Sequence, residues 1–239
     1  MTELTLETPA AHRQQDEVRR LPATYAEYLL WPDDATLAEW KDGEIITYMP
    51  PTEYHQQLVR LLVVLVSSFV ELVDAGVVHV APFEVKLWPG GPSREPDILF
   101  IDRERLSQLT PQRFEGGPDL VVEIVSSGSA RIDRVEKFIE YERAGVREYW
   151  LIDPRPGKEQ ADFYGLEDDG RFASLGLDDD GQFSSLVLPG LRFDPALLRG
   201  PLPNPQRLLA GIAKDLPSLR EELRAAYRAL YEALSQEAH

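Results

Sequence analysis

The stretch Pro118–Ser127, "PDLVVEIVSS", decides the fold. Branched apolar residues dominate it, which favours a strand, and on a strand successive side chains point to opposite faces. Leu120, Val122 and Ile124 then share one face, and Val121, Glu123 and Val125 share the other. A strand apolar on both faces is a buried one, with layers packed on each side. Glu123 is the exception, because an ionised carboxylate inside a core requires a partner.

Working outward, further segments read as strands and helices in mixed order. "LAEWKDGEIITYM" gives two short strands about an Asp42-Gly43 turn, the strongest short hairpin signal. From about Glu53 to Asp74 the apolar spacing predicts one long helix closed by Gly76. "VVHVAPFEVKLW" supplies one or two strands, and "PDILFID" another. The segment 129–144 reads as a helix with Gly145 just past its end, followed by the strand "EYWLID". Polar turns then separate "ADFYGL", "RFASLGL" and "FSSLVL". The expectation is an α/β protein with a mixed β-sheet core flanked by helices.

The ends differ from the middle. Residues 1 to about 20 are polar and aperiodic, which predicts a flexible tail before a domain spanning 21–200. Beyond the Pro-rich "RGPLPNPQ", residues 201–239 form a C-terminal helical extension. Its apolar stripe (Leu209, Ile212, Leu216, Leu219, Leu223, Ala226, Leu230, Ala233) recurs at three- and four-residue steps. Pro217 divides it into a short helix and a longer one. The stripe packs either on the chain's own core or against a second copy, and the expectation taken forward is a homodimer.

Composition removes several classes. Without cysteine there are no disulfides and no thiolate metal sites. No basic-then-apolar leader pattern opens the sequence, and the apolar run Leu61–Val70 is shorter than the roughly 20 residues that span a bilayer. The expected location is cytoplasmic, with no membrane partner. A net charge of −16 repels phosphate polymers over the surface as a whole. The acids are concentrated, however: Asp162, Glu167, Asp168, Asp169 and Asp178 to Asp180 face the single Arg171, whereas residues 131–158 are nearly balanced. Ser126 and Ser127 have no evident histidine partner for nucleophilic catalysis. No Gly-rich phosphate loop is present.

Chemistry gathers around Glu123. In "REPDILFI", Asp97 opens another apolar strand. Two carboxylates on neighbouring strands suit a hard divalent cation such as Mg²⁺, which takes oxygen ligands and retains waters. Lys137, on the helix after Glu123's strand, folds back to put a fixed positive charge at the same place. Each residue also has a plain structural reading. Asp97 caps a turn; Glu123 pairs with Arg94 or Arg131; Lys137 pairs with Asp133 four residues earlier on a helix surface.

The order of "EPDILFI", "GGPDLVVEIVSS", "DRVEKFIEYERAGVREYWLID" and "LPGLRFD", with "WKDGEIITYMPPTEYHQQL" before the long helix, resembles the second Uma-type family, a group of restriction endonucleases in the PD-(D/E)xK superfamily. The spaced set Asp133, Lys137, Tyr141, Gly145, Val146, Tyr149, Trp150 and Asp153 carries much of the likeness, which runs from about Thr24 to about Leu198. The resemblance implies a restriction-endonuclease-like core and cleavage of nucleic acid, DNA in the first instance. It implies Asp97, Glu123 and the Ile124 carbonyl as ligands of Mg²⁺ (or Mn²⁺), with Lys137 as catalytic lysine. The superfamily's usual lysine position, two residues after the acid, holds Val125, so Lys137 on the following helix takes that role. Glu44 and His55 occupy further positions where the family has similar residues; a surface strand acid and a helix-terminal histidine are the commoner explanations for them. Two other readings stay open beside the nuclease: a catalytically inactive interaction module on the same fold, and a Mg²⁺-dependent hydrolase of a small phosphate ester.

Overall fold

A computed structural model describes residues 18–32 and 37–236. In chain order the strands are β1 (Val18–Pro22), β2 (Ala38–Lys41), β3 (Glu44–Tyr48), β4 (Gly76–Val80), β5 (Glu84–Lys86), β6 (Ser93–Arg94) and β7 (Ile98–Asp102). They continue as β8 (Arg113–Glu115), β9 (Leu120–Ile124), β10 (Glu148–Asp153), β11 (Gln160–Leu166), β12 (Phe172–Ser174), β13 (Phe183–Ser184) and β14 (Arg192–Phe193). The helices are α1 (Tyr25–Tyr28), α2 (Glu53–Val73), α3 (Phe138–Ala144), α4 (Pro205–Ala213) and α5 (Glu221–Gln236).

Two mixed six-stranded sheets result, ordered β1-β3-β2-β6-β5-β8 and β12-β11-β10-β9-β7-β4. The strand that holds Glu123, β9, lies inside the second sheet, parallel to β10 and antiparallel to β7. Its two faces are both covered, as its composition demands. Leu120, Val122 and Ile124 join Ile98, Phe100, Trp150 and the inward stripe of α2 in one core. Val121 and Val125 join Leu99, Ile101, Tyr149 and Tyr141 in the other, where Val85 and Phe114 of the first sheet, and Leu87 just past β5, also pack. Glu123 therefore points into the layer between the two sheets.

Local chemistry sets the punctuation. At the β2–β3 turn both Asp42 and Gly43 have positive φ, 49° and 84°, the geometry that matches hairpin twist. Thr52 caps α2 by accepting from the His55 N–H at 3.2 Å. The far end departs from expectation: Asp74, not a glycine, takes the left-handed cap at φ 53°. Gly76 is required for a different reason, since a Cβ there would lie 2.1 Å from the Ile101 carbonyl oxygen on β7. By length and composition α2 is apolar enough to cross a membrane. Here Leu58, Leu61, Leu62, Leu65, Val66, Phe69 and Val70 are all buried in the core instead.

The helix expected over 129–144 contains a widened π-helical turn at Ile132–Lys137 before α3, and Gly145 closes it at φ 78°. At the ends two expectations change. Residues 1–17 lie outside the described region, but Val18–Pro22 are not a loose tail: they pair with β3 in register from Val18 opposite Tyr48 to Pro22 opposite Glu44. The C-terminal stripe divides. Leu209 and Leu216 are buried in the chain's own core, with Ile212 and Leu219 packed against it, while α5 has no buried residue and Leu230 is 41% exposed. Its first half is thus an intramolecular contact.

Candidate active site

Extending the antiparallel register by one residue, from Ile98 opposite Val122, sets Asp97 opposite Glu123. Both are odd-numbered on strands whose odd positions face the same layer, so the carboxylates fall on one side of the sheet. Asp97 is fixed by the strand it faces: its Oδ2 accepts from the Ile124 N–H at 2.7 Å and lies 3.4 Å from His55 Nε2. The π-helical turn brings in the third residue. Lys137 Nζ is 2.8 Å from Glu123 Oε1, 2.9 Å from Glu39 Oε1 and 3.4 Å from Asp133 Oδ1. The Tyr141 hydroxyl donates to the same Glu123 oxygen at 2.6 Å.

Asp97, Glu123, Ile124, Asp133, Lys137 and His55 line one pocket of about 460 Å³, together with Leu37, Tyr48, Met49, Pro50, Pro51 and Pro82; Glu39 and Tyr141 lie behind it. Glu44 is not there. It shares a strand face with Tyr48 but sits four residues away, roughly 13 Å along the strand, and pairs with Arg20 at 3.2 Å on the surface. The proposed pairing of Glu123 with Arg94 or Arg131 does not form. Arg94 belongs to Glu39 and Glu140, at 2.8 and 2.7 Å. Nor is the Asp133–Lys137 pair a surface pair: both side chains are buried.

Glu39 is the residue that sequence reasoning missed. It is fully buried and accepts from Lys137, Arg94 and the Tyr48 hydroxyl. Through Arg94 and Glu140 the chain of charges continues to Lys41, whose Nζ is 2.7 Å from Glu140 and 3.0 Å from Glu136. The first sheet is thereby tied to the helix that supplies Lys137.

The ionisation of these groups follows from burial and neighbours. Burial pushes the Glu123 carboxyl up to about 8; Lys137 opposes the rise, and the charges of Asp133, Asp97 and Glu39 add to it. Burial raises Asp133 too, against Lys137 and a hydrogen bond from Ser129. For Glu39 burial is outweighed by Lys137 and Arg94, which hold it down to about 2. Lys137 itself is disfavoured by burial, yet Glu123 and Glu39 keep it well above its ordinary range. Desolvation lowers His55, but Asp97 and the Ile124 carbonyl reverse that and leave it raised.

The surplus of carboxylate over cation suits a divalent ion. Glu123 uses only Oε1, and Asp97 only Oδ2, for the protein contacts described above, and the buried Asp133 Oδ1, 3.4 Å from the Lys137 ammonium, accepts no hydrogen bond. The donors are oxygens, as hard cations prefer. Among the described residues no three His, Asp or Glu side chains converge into a closed cage. What the pocket offers is two carboxylates, Asp97 and Glu123, each with an oxygen outside those contacts, and Mg²⁺ is an ion that takes one or two carboxylates and keeps its waters.

Comparison with known proteins agrees with this architecture. The family model described as "Uma2: Putative restriction endonuclease" matches residues 25–196. The fold is similar to that in the crystal structure of a protein described as "a putative nuclease belonging to DUF820 from Anabaena variabilis ATCC 29413". That likeness has a TM-score of 0.60 at 19% identity and covers 74% of this chain and 98% of the other. No curated protein matches the chain.

Proposed function

The chain belongs to the Uma2 family, and from that membership we propose that it is a Mg²⁺-dependent endonuclease that hydrolyses phosphodiester bonds, with DNA as its substrate. The observation that carries the proposal is the convergence, in one open pocket, of Asp97 and Glu123 from facing strands with the Lys137 ammonium 2.8 Å from Glu123.

Asp97, Glu123 and the Ile124 carbonyl are the residues that would hold the ion, with Mn²⁺ as its substitute. When bound, such an ion polarises a phosphoryl oxygen and lowers the pKa of an attacking water. Lys137 does not act as a base in this scheme, because its carboxylate neighbours keep it protonated. Its role is a fixed positive charge beside the phosphate, where negative charge develops. Glu39 and Asp133 hold that ammonium in place. Asp97 is aimed by the Ile124 N–H and His55, so its ligand oxygen does not have to be ordered on binding.

A second reading, hydrolysis of a small phosphate ester, is favoured by the net charge of −16. Purified protein incubated with plasmid and Mg²⁺, beside Asp97→Ala and beside bis(p-nitrophenyl) phosphate, separates the readings. Metal-dependent nicking lost in Asp97→Ala is the expected result. Intact plasmid with hydrolysed ester selects the second reading. Neither reaction leaves a nuclease fold used as a binding module.

A further inference from the structure

The outer face of the first sheet carries another pocket, of about 520 Å³, within the range of small-molecule sites. Strand alternation places it. On β2, Glu39 and Lys41 point to the Lys137 network, and Trp40 packs on the opposite side with Tyr25. On β5, Val85 belongs to the inner core, whereas Glu84 and Lys86 meet Tyr25 outside it. The sheet itself separates this pocket from Asp97 and Glu123.

Tyr25, Trp40 and Trp88 give it aromatic walls; Arg113 lines it as well, paired at 2.8 Å with Glu115, which lies opposite Lys86 in the ladder and also lines the pocket without an ion pair to Lys86. Its distinctive group is Lys86, 8% exposed. The ammonium lies 3.7 Å from the Tyr25 ring centroid and 4.7 Å from that of Trp40, and donates to the Gly91 carbonyl at 2.6 Å. No carboxylate among the described residues forms an ion pair with it. Glu84, its nearest acid along the strand, is taken by the hydroxyls of Tyr25 and Ser93 at 2.6 and 2.7 Å. A buried ammonium without a carboxylate is under-compensated, and ring faces offset only part of the loss of water. The Arg143 guanidinium, 4.4 Å from the Trp88 centroid, adds positive charge beside the same wall.

Apolar aromatic walls around an unpaired cation fit a flat ring that carries an anion. We infer that this pocket binds a nucleotide, its base against the aromatic wall and its phosphate toward Lys86 and Arg113. The same chemistry is presented by a free nucleotide and by one residue of a single strand. The pocket lies across the sheet from the catalytic one, so the nucleotide it holds is not the one cleaved. Only the choice of a strand as the source rests on the nuclease reading. Binding in EDTA does not depend on that reading.

Calorimetric titration in EDTA with dTMP, a short oligothymidylate and inorganic phosphate tests the inference. Binding of dTMP identifies a free-nucleotide site, binding of the oligothymidylate without dTMP identifies a strand site, and phosphate alone is expected to bind far more weakly than either. Trp88→Ala and Lys86→Met should each weaken binding about tenfold, and Asp97→Ala should bind as wild type. If Lys86→Met does not fold, Arg113→Gln, at a half-buried position, takes its place. The inference is overturned if neither nucleotide ligand binds at millimolar concentration, if phosphate binds as tightly as dTMP, or if folded Trp88→Ala binds as wild type.

Discussion

Replacing Glu39 by Gln keeps the shape of a fully buried side chain and removes its charge, leaving Lys137 to Glu123 and Asp133 and Arg94 to Glu140. Lys137 and Arg94 lower the Glu39 carboxyl from 4.5 to about 2. At about 1.4 kcal/mol per pKa unit, that difference corresponds to a contribution on the order of 3 kcal/mol at neutral pH. The loss of one partner from a buried ion pair gives a similar figure, about 3–5 kcal/mol. For a chain of this size the melting temperature should fall by roughly 6–12 °C. Because the pKa is lowered in the folded state, the contribution is complete above about 4.5 and is lost as pH falls through about 2. The gap between wild type and Glu39→Gln should therefore be widest near neutrality and should narrow as pH falls below about 4.5. Urea unfolding followed by tryptophan fluorescence, at a series of pH values, measures it. A gap under about 1 kcal/mol at pH 7, or one that does not change with acidification, would refute the assignment of Glu39 as the anchor of this network.

Three more expectations can be checked together. Glu123 should titrate near 8 in metal-free protein labelled with ¹³C at glutamate. The stability it contributes is complete below about 4.5 and lost as pH rises through about 8, opposite in sign to Glu39, and Mg²⁺ should lower the midpoint; an ordinary carboxylate midpoint without metal contradicts the site as described. Lys137→Met leaves three buried carboxylates around one vacated position and should destabilise by about 3–5 kcal/mol at pH 8, less at pH 6 where Glu123 is protonated, as read by thermal melting. The exposed half of the terminal stripe, at Leu230, is proposed as a homodimer contact. Light scattering should give a dimer for the full chain and a monomer for Leu230→Asp, and a monomeric full chain would remove the proposal.

How much of this was readable from sequence depends on distance along the chain. The faces of β9 follow from alternation alone, so the inward position of Glu123 was legible. The Asp42-Gly43 turn and the Gly145 cap were legible because a left-handed backbone has few tolerant residues. The meeting of Asp97, Glu123 and Lys137 was reached through short connections and the family pattern. Glu39 was not legible. "AEWK" has the composition of an ordinary surface strand, and its acid is buried only because Arg94 and Lys137, 55 and 98 positions away in the sequence, meet it across two layers. The π-helical turn was hidden as well, since a helical apolar period does not report one widened turn, and that turn is where Asp133 and Lys137 turn inward together. The terminal stripe was misassigned in its first half because periodicity shows that a face is buried and not what covers it.

The proposed chemistry requires Asp97 and Glu123 to hold one divalent cation beside Lys137. Electron paramagnetic resonance of Mn²⁺, titrated into wild type and Asp97→Ala, measures that directly, because bound ion leaves the free six-line signal. One site per chain is expected in the wild type, displaced by excess Mg²⁺ and lost in Asp97→Ala. Equal Mn²⁺ binding by both proteins, or none by the wild type at millimolar ion, would contradict it.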